Sequence, residues 1–153
     1  GVVQNMARNP KGEDRDQIYG VAMDDGDIAI VNTYYLAAML TSPNQKDRAV
    51  ASSVGVVFPN QNSYGTHVNI SGGGVLKWGK NNKNAIKLLE FLSSPAAQNI
   101  FAHSNFEYPI NPVVKPDPVV TALGGFKEDQ IELSKIGENN KKAVRIFNEA
   151  GWR

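Results

Sequence analysis

The sequence predicts an α/β fold in which helices and short strands alternate along the chain. Apolar residues recur at helical spacing in several segments, such as Asn81–Leu92. The continuous apolar run within Asp27–Val31 is typical of a strand that is buried on both faces. The 153 residues, of which 41% are hydrophobic, suffice for one globular core or for one lobe of a larger protein.

The first part of the chain is predicted to contain a helix, a strand and a second helix. Asp14–Met23 is expected to be helical, with Gly26 as the left-handed residue that ends the helix. Asp27–Val31 is the predicted strand, and Tyr34–Leu40 is the next helix. The second helix therefore begins just after a buried strand.

The middle of the chain is predicted to contain two short strands and two helices. Val54–Phe58 and Thr66–Ser71 are expected to be strands, the first of them after the polar connector Thr41–Asp47. Asn81–Leu92 is expected to be a helix. The Ser94-Pro95 pair indicates that another helix begins at once, because Ser is a favoured N-cap and Pro suits the first helical position.

The C-terminal part is predicted to be an extended connector followed by helix. Four prolines within Pro109–Pro118 exclude helix from most of that stretch. Lys127–Ala150 has apolar residues at helical spacing and is expected to form two helical pieces that are divided near Gly137.

Two adjacent tyrosines, Tyr34 and Tyr35, are the strongest functional feature of the sequence. A phenol has an unperturbed pKa of about 10, so at neutral pH it binds a metal well only when a strongly charged cation displaces its proton. Ferric iron is such a cation. The N-terminus of a helix favours negative charge and should ease the formation of phenolate. The alternative is that the pair only packs at the edge of a core.

The segment Gly26–Tyr35 closely resembles the part of bacterial periplasmic ferric-iron-binding proteins that carries their paired tyrosines. The resemblance covers essentially the whole chain and is closest to the group that includes cyanobacterial iron-binding proteins. The other matching segments are Ala7–Gly12, Asp14–Gln17, Gly65–Gly72, Ala85–Pro95 and Phe106–Pro112.

The resemblance implies a type II periplasmic-binding-protein fold, in which two lobes close on Fe(III) by a hinge motion. Residues 1–153 are expected to be the C-terminal portion of such a protein, with one lobe, the crossover and the C-terminal helices. The missing N-terminal lobe would contribute further ligands and an export signal. Members of this family are roughly twice as long as this chain.

The resemblance also implies the function, which is binding and delivery of ferric iron without catalysis. Tyr34 and Tyr35 match the paired metal ligands of the family, and no residue is expected to be catalytic. Fe(III) would be the transported ligand, and participation of a synergistic anion is left open. An inner-membrane ABC permease would receive the iron, which implies a periplasmic location.

Composition and the remaining motifs argue against several other functions. The net charge of +1, with basic residues dispersed along the chain, argues against a nucleic-acid surface. The absence of cysteine excludes thiolate metal sites and cysteine catalysis. His67 and His103 have no local partner at ligand spacing and are expected to be structural. The same expectation applies to Tyr19, Tyr64 and Tyr108.

Two alternative functions remain open at the level of the sequence. The chain could bind another small anion or an organic solute, with the tyrosines stacking on the ligand or donating hydrogen bonds to it. It could also be an interaction domain, or a metal-dependent enzyme whose site is completed by dimerisation. Arg8 and Arg15 are candidates for charged residues that line the cleft around the tyrosine pair, and neither is assigned as a ligand.

Overall fold

The computed structural model describes residues 1–9 and 11–152 of the chain. Pro10, which belongs to one of the matching segments, and Arg153 lie outside the described residues. The described residues form a short 3-10 helix, Val3–Asn5, and α-helices α1 (Asp14–Ala22), α2 (Thr33–Leu40), α3 (Gln45–Ser52), α4 (Asn82–Leu92), α5 (Pro95–Ser104), α6 (Pro118–Ala122) and α7 (Leu133–Ala150).

Helix α1 matches the predicted helix and has defined ends. A capping box joins Glu13 and Asp16, with the Glu13 N–H donating to Asp16 Oδ2 at 2.7 Å. At the other end Asp24 adopts a left-handed conformation (φ +61°), and the Asp25 N–H donates to the Gly20 carbonyl at 2.9 Å. The prediction that Gly26 ends this helix is therefore wrong, because Asp tolerates the left-handed region well enough to take that place.

The hydrophobic core lies where the first three helices meet. Ile18 of α1, Leu36 and Met39 of α2 and Ala51 of α3 are buried together. Helix α6 packs against α2, and its Val120 is fully buried. Helix α2 is thus held from several sides, which fixes the position of the residues at its N-terminus.

Helices α4 and α5 pack together, and one buried side chain of α5 links the end of α4 to the segment that follows α5. The predicted junction is confirmed, since Ser94 Oγ accepts the Ala97 N–H at 3.4 Å and Pro95 is the first residue of α5. Gln98 is buried, and its Nε2 donates to the Leu92 carbonyl at 2.8 Å. Its Oε1 accepts the Ile110 N–H, also at 2.8 Å. Gln98 therefore fixes the chain that follows α5.

The three predicted strands, Asp27–Val31, Val54–Phe58 and Thr66–Ser71, do not form among the described residues. The β-bridge found there joins Thr66 to Glu128 and is isolated. A strand is stabilised by hydrogen bonds to a partner strand, and none of the described segments supplies a ladder to these three. The helical part of the α/β prediction is confirmed, whereas the sheet part is not formed by the described residues.

Three helices differ from the prediction. Helix α6 was not predicted, and it begins at Pro118, where Asp117 Oδ1 accepts the Val119 N–H at 2.9 Å as the N-cap. Helix α3 lies partly inside the predicted polar connector, where Asn44 Oδ1 accepts the Lys46 N–H at 2.9 Å as an N-cap. Helix α7 begins only at Leu133 and runs through Gly137 without a break. A single glycine costs a helix about 1 kcal/mol relative to alanine, which is too little to divide a helix whose apolar residues stay in phase on both sides. None of the described helices has the length and apolar character that a bilayer crossing requires.

Candidate metal centre

The N-terminus of α2 is tied to two other segments. The Asn32 N–H donates to Asp14 Oδ1 at 2.8 Å, which joins α2 to the first turn of α1. Asn69 Nδ2 donates to Asn32 Oδ1 at 3.1 Å. The Asn32 side chain makes no capping hydrogen bond to α2. The tyrosines that follow thus start from an anchored backbone.

Tyr34 and Tyr35 occupy the first turn of α2 with their rings against each other. The ring centroids are 4.2 Å apart and the ring planes are inclined by 34°. Both side chains are half-buried, and Tyr35 also packs against the hydrophobic core. Packing therefore explains part of the burial of Tyr35, while both residues still reach an open pocket.

The pocket beside the tyrosines has a volume of about 280 Å³. This volume lies near the lower end of the range of about 300–1,000 Å³ that is usual for pockets with drug-sized ligands. Its lining residues come from three places in the chain: Arg15, Tyr34, Tyr35, Ala38 and the segment 104–107 that ends α5.

The surroundings of Tyr34 favour its neutral form. The hydroxyl of Tyr35 is the largest influence that raises the pKa of Tyr34 to about 12, followed by burial and by the negative charges of Asp14 and Glu107. The sequence predicted that the helix N-terminus would ease the ionisation of this phenol. The pKa of Tyr34 is instead raised, so its surroundings oppose ionisation. A metal ion that binds here as a phenolate complex must displace a firmly held proton.

The other candidate residues have structural partners. The Tyr19 hydroxyl donates to Asp47 Oδ1 at 2.6 Å, and the Tyr108 ring packs edge-on against Phe126. His103 lies with its Nδ1 2.9 Å from Asp117 Oδ2. Among the described residues no group of three or more His, Asp or Glu side chains could hold a metal ion.

Three more residues fall outside the tyrosine pocket. Tyr64 is largely exposed, and His67 lines a different shallow pocket. Arg8 packs over Gly20 of α1, and its Nη2 donates to the Asp16 carbonyl at 3.2 Å. Among the predicted site residues, Tyr34 and Tyr35 are thus the two that share a pocket.

The sequence named Arg15 as a candidate for lining the cleft and gave no such indication for Glu107, and both residues line the pocket. Neither residue is near the tyrosines in the sequence. There was one sequence signal for Glu107. This residue lies directly after a helix end, in a segment that resembles the periplasmic ferric-iron-binding proteins. Such a signal marks similarity and does not indicate which side chains face a site.

Comparison with known proteins places the chain among iron-binding relatives. Iron uptake protein A1 of Synechocystis is 44% identical over 153 residues, which are all of this chain and 42% of that protein. The ferric binding protein of Campylobacter jejuni superposes with a TM-score of 0.94 at 47% identity, over 99% of this chain and 48% of the other.

A Trichodesmium protein (IdiA, FutA) solved in complex with iron and citrate superposes with a TM-score of 0.91 at 48% identity, again over 99% of this chain and 48% of the other. No family model matches the chain. The chain spans about half the length of the relatives and structures that it matches.

Proposed function

We propose that this chain contributes to binding and transport of Fe(III). The premise is that the chain is homologous over its whole length to one half of the bacterial ferric iron-binding proteins. In this proposal Tyr34 and Tyr35 are two of the metal ligands. The single observation that supports it best is the placement of both phenols in one open pocket on an anchored helix start.

The chemistry of the ligands explains why such a site suits ferric iron. Phenolate is a hard, anionic oxygen donor, so it stabilises Fe(III) more than Fe(II). Reduction of the metal or protonation of the tyrosines would weaken the complex and allow release. The protein would therefore carry iron without any catalytic turnover.

The remaining coordination positions would be filled by groups from outside this chain. In this proposal the chain supplies one wall of the site, and a second lobe closes over the ion by a hinge motion. A small anion such as citrate fits the proposal, because the Trichodesmium relative was solved with iron and citrate. Delivery to an inner-membrane ABC permease from the periplasm completes the proposed role.

The proposal is tested by titrating the full-length protein with ferric citrate while the visible absorption is recorded. A phenolate-to-iron charge-transfer band should grow to saturation at a single equivalent of iron. The double variant Tyr34→Phe, Tyr35→Phe should lose the band and keep its fold, because phenylalanine preserves the packing of both rings.

The matched control for this titration is Tyr64→Phe, which removes the hydroxyl of an exposed tyrosine outside the pocket. It should leave the band unchanged. A band that survives in the double variant, or a native protein without a band, would overturn the assignment of these ligands and favour a different solute.

A further inference from the structure

Asp14, at the start of α1, reaches the residue from which the tyrosine-bearing helix begins. Its Oδ1 accepts the Asn32 N–H at 2.8 Å. Asn32 is the N-cap residue of α2 and has an extended backbone (φ −78°, ψ 141°). A carboxylate accepts a hydrogen bond more strongly than a neutral oxygen does. Asp14 therefore fixes the backbone at the point where it enters α2.

The contact continues through Asn32 to the tyrosines. The Asn32 carbonyl accepts the Tyr35 N–H at 3.3 Å in the first turn of α2. Tyr34 lies in the same turn, with its ring centroid 4.2 Å from that of Tyr35. A displacement of Asn32 would thus move both phenols at once.

The position of Asp14 is set by the packing of its own helix. The capping box of Glu13 and Asp16 closes the first turn of α1. Further along α1, Ile18 is buried in the core with Leu36 of α2. Asp14 is half-buried, whereas Asp16 is exposed. The carboxylate of Asp14 is therefore supported by the structure of α1.

Asp14 supports the tyrosine pocket without lining it. Arg15, the next residue, is the one that α1 contributes to the pocket wall. The Asn32 side chain makes no capping hydrogen bond to α2, so the contact with Asp14 provides an anchor that the usual cap does not. Asp14 is thus placed to position the ligands and not to bind the metal itself.

Preorganisation of two ligands raises the affinity for a single ion. Binding costs free energy when groups must be ordered, and groups that are already in place avoid that cost. Hydrogen bonds that orient the ligands of a metal site commonly serve this purpose, and losing one typically costs about 10–100-fold in metal affinity. The contact between Asp14 and Asn32 is of this kind, because it acts on the backbone that carries both phenols.

We infer that Asp14 is a positioning residue for the tyrosine pair, whose carboxylate holds the start of α2 through the Asn32 N–H so that both phenols meet the same ion. This inference rests on the proposed function. It requires an acceptor oxygen at this place and does not require the negative charge of the carboxylate.

The test titrates the native full-length protein and two variants of Asp14 with ferric citrate. Asp14→Ala removes the acceptor and should weaken Fe(III) binding about tenfold, which is the lower end of the usual effect. It should also lower the charge-transfer absorbance per bound iron. Asp14→Asn places an amide oxygen where Oδ1 lies, so it should keep the native absorbance and an affinity within about threefold of the native value.

The matched control is Asp16→Ala, since Asp16 also lies in the first turn of α1 but its Oδ2 accepts the Glu13 N–H. This variant loses the capping box and should be destabilised, while its Fe(III) affinity and its absorbance stay native. An equal loss of affinity in Asp14→Ala and Asp16→Ala would overturn the inference, because the stability of α1 would then be the cause. An equal loss in Asp14→Asn and Asp14→Ala would overturn it in favour of an effect of charge.

Hydrogen exchange of the Asn32 amide, followed by NMR in the iron-free protein, tests the contact without the metal. Exchange should be at least about tenfold faster in Asp14→Ala than in the native protein and near native in Asp14→Asn. Should Asp14→Ala fail to fold, Asp14→Ser withdraws the acceptor with a smaller loss of polarity and carries the same expectations. Unchanged exchange in the variant that lacks the acceptor would overturn the inference.

The outcomes also separate this inference from the proposed function. A native protein without the charge-transfer band would overturn the proposed function, and with it the role of Asp14 in iron binding. A native band together with native affinity and native absorbance in Asp14→Ala would overturn the inference about Asp14 and leave the tyrosine ligands in place.

Discussion

At the residue scale, the proton held by Tyr34 determines how iron binding depends on pH. The pKa of Tyr34 is raised to about 12, chiefly by the Tyr35 hydroxyl, so the phenol is neutral near physiological pH. Binding as phenolate releases this proton, and each released proton makes the apparent affinity rise about tenfold per pH unit.

The pH dependence gives a direct prediction for Tyr34→Phe. The slope of the logarithm of the Fe(III) affinity against pH should fall by about one, because one fewer proton is released. Competition with a chelator of known protonation measures both slopes. An unchanged slope in the variant would mean that Tyr34 keeps its proton when iron binds.

Asp117 provides a second residue-scale prediction, which concerns stability. His103 lies beside its carboxylate and, with the Val119 N–H at 2.9 Å, holds the pKa of Asp117 below its ordinary value. Because the folded-state pKa is the lower one, the carboxylate stabilises the fold above about pH 4. This contribution is lost as the pH falls through the folded-state value.

Asp117→Ala should lower the free energy of unfolding by about 1 kcal/mol near neutral pH, since it removes the N-cap of α6. The difference from the native protein should shrink below about pH 3. Urea unfolding at both pH values measures it, with Glu90→Ala as the control on an exposed carboxylate. An equal difference at both pH values would contradict the role of the ionised carboxylate.

At the scale of elements, two glycines in different backbone conformations make a matched pair. Gly137 lies inside α7, and a Cβ there would meet nothing within 4 Å. Gly137→Ala should therefore stabilise the helix by about 1 kcal/mol. Circular dichroism and urea unfolding would detect the gain, and a loss of helix would show that α7 needs flexibility at this point.

Gly65 is the opposite case to Gly137, because a side chain at this position would be strained. Its φ is +102°, and a Cβ would lie 2.6 Å from the backbone of Glu128. Gly65→Ala should destabilise the fold, because the substitution strains the backbone and pushes apart the segments that form the Thr66 bridge. A neutral effect in the same urea experiment would mean that this contact is easily rearranged.

The elements that could be predicted are those with local signals. The Ser94-Pro95 pair predicts the start of α5, because capping depends on neighbouring residues alone. Strands such as Asp27–Val31 could not be settled in this way, since their hydrogen bonds come from distant partners. Helix α3 was missed because its polar sequence resembles a connector, and its burial through Ala51 is a tertiary effect.

At the scale of the whole molecule, several large apolar side chains of the described chain are exposed. Ile28 and Ile30 are each 87% exposed, although the sequence predicts burial for both. All of α7 lacks buried residues as well. The chain spans about half the length of its relatives. Under the proposed function, we expect the second lobe or its connections to cover these surfaces.

The double variant Ile28→Thr, Ile30→Thr tests this expectation. It should lower the free energy of unfolding of the full-length protein by about 2 kcal/mol or more, because apolar groups are lost from a buried interface. The 153-residue chain alone should change little. Equal effects in both proteins would show that the two side chains stay exposed.

The candidate site could be predicted only in part, because some of its residues are far apart in the sequence. Tyr34 and Tyr35 are adjacent in the sequence, so their pairing is visible there. Glu107 and Arg15 reach the pocket through the packing of α5 and α1, which the sequence does not specify locally. The electrostatic surroundings of Tyr34 therefore depend on that packing as well.

A crystal structure of the iron-loaded full-length protein, with anomalous scattering from iron, would locate the metal directly. If both phenolate oxygens bind ferric iron, an iron peak should lie about 2 Å from the hydroxyl oxygens of Tyr34 and Tyr35, as expected for a small, hard cation. An iron peak away from this pocket, with both hydroxyls unligated, would overturn the assignment of these ligands.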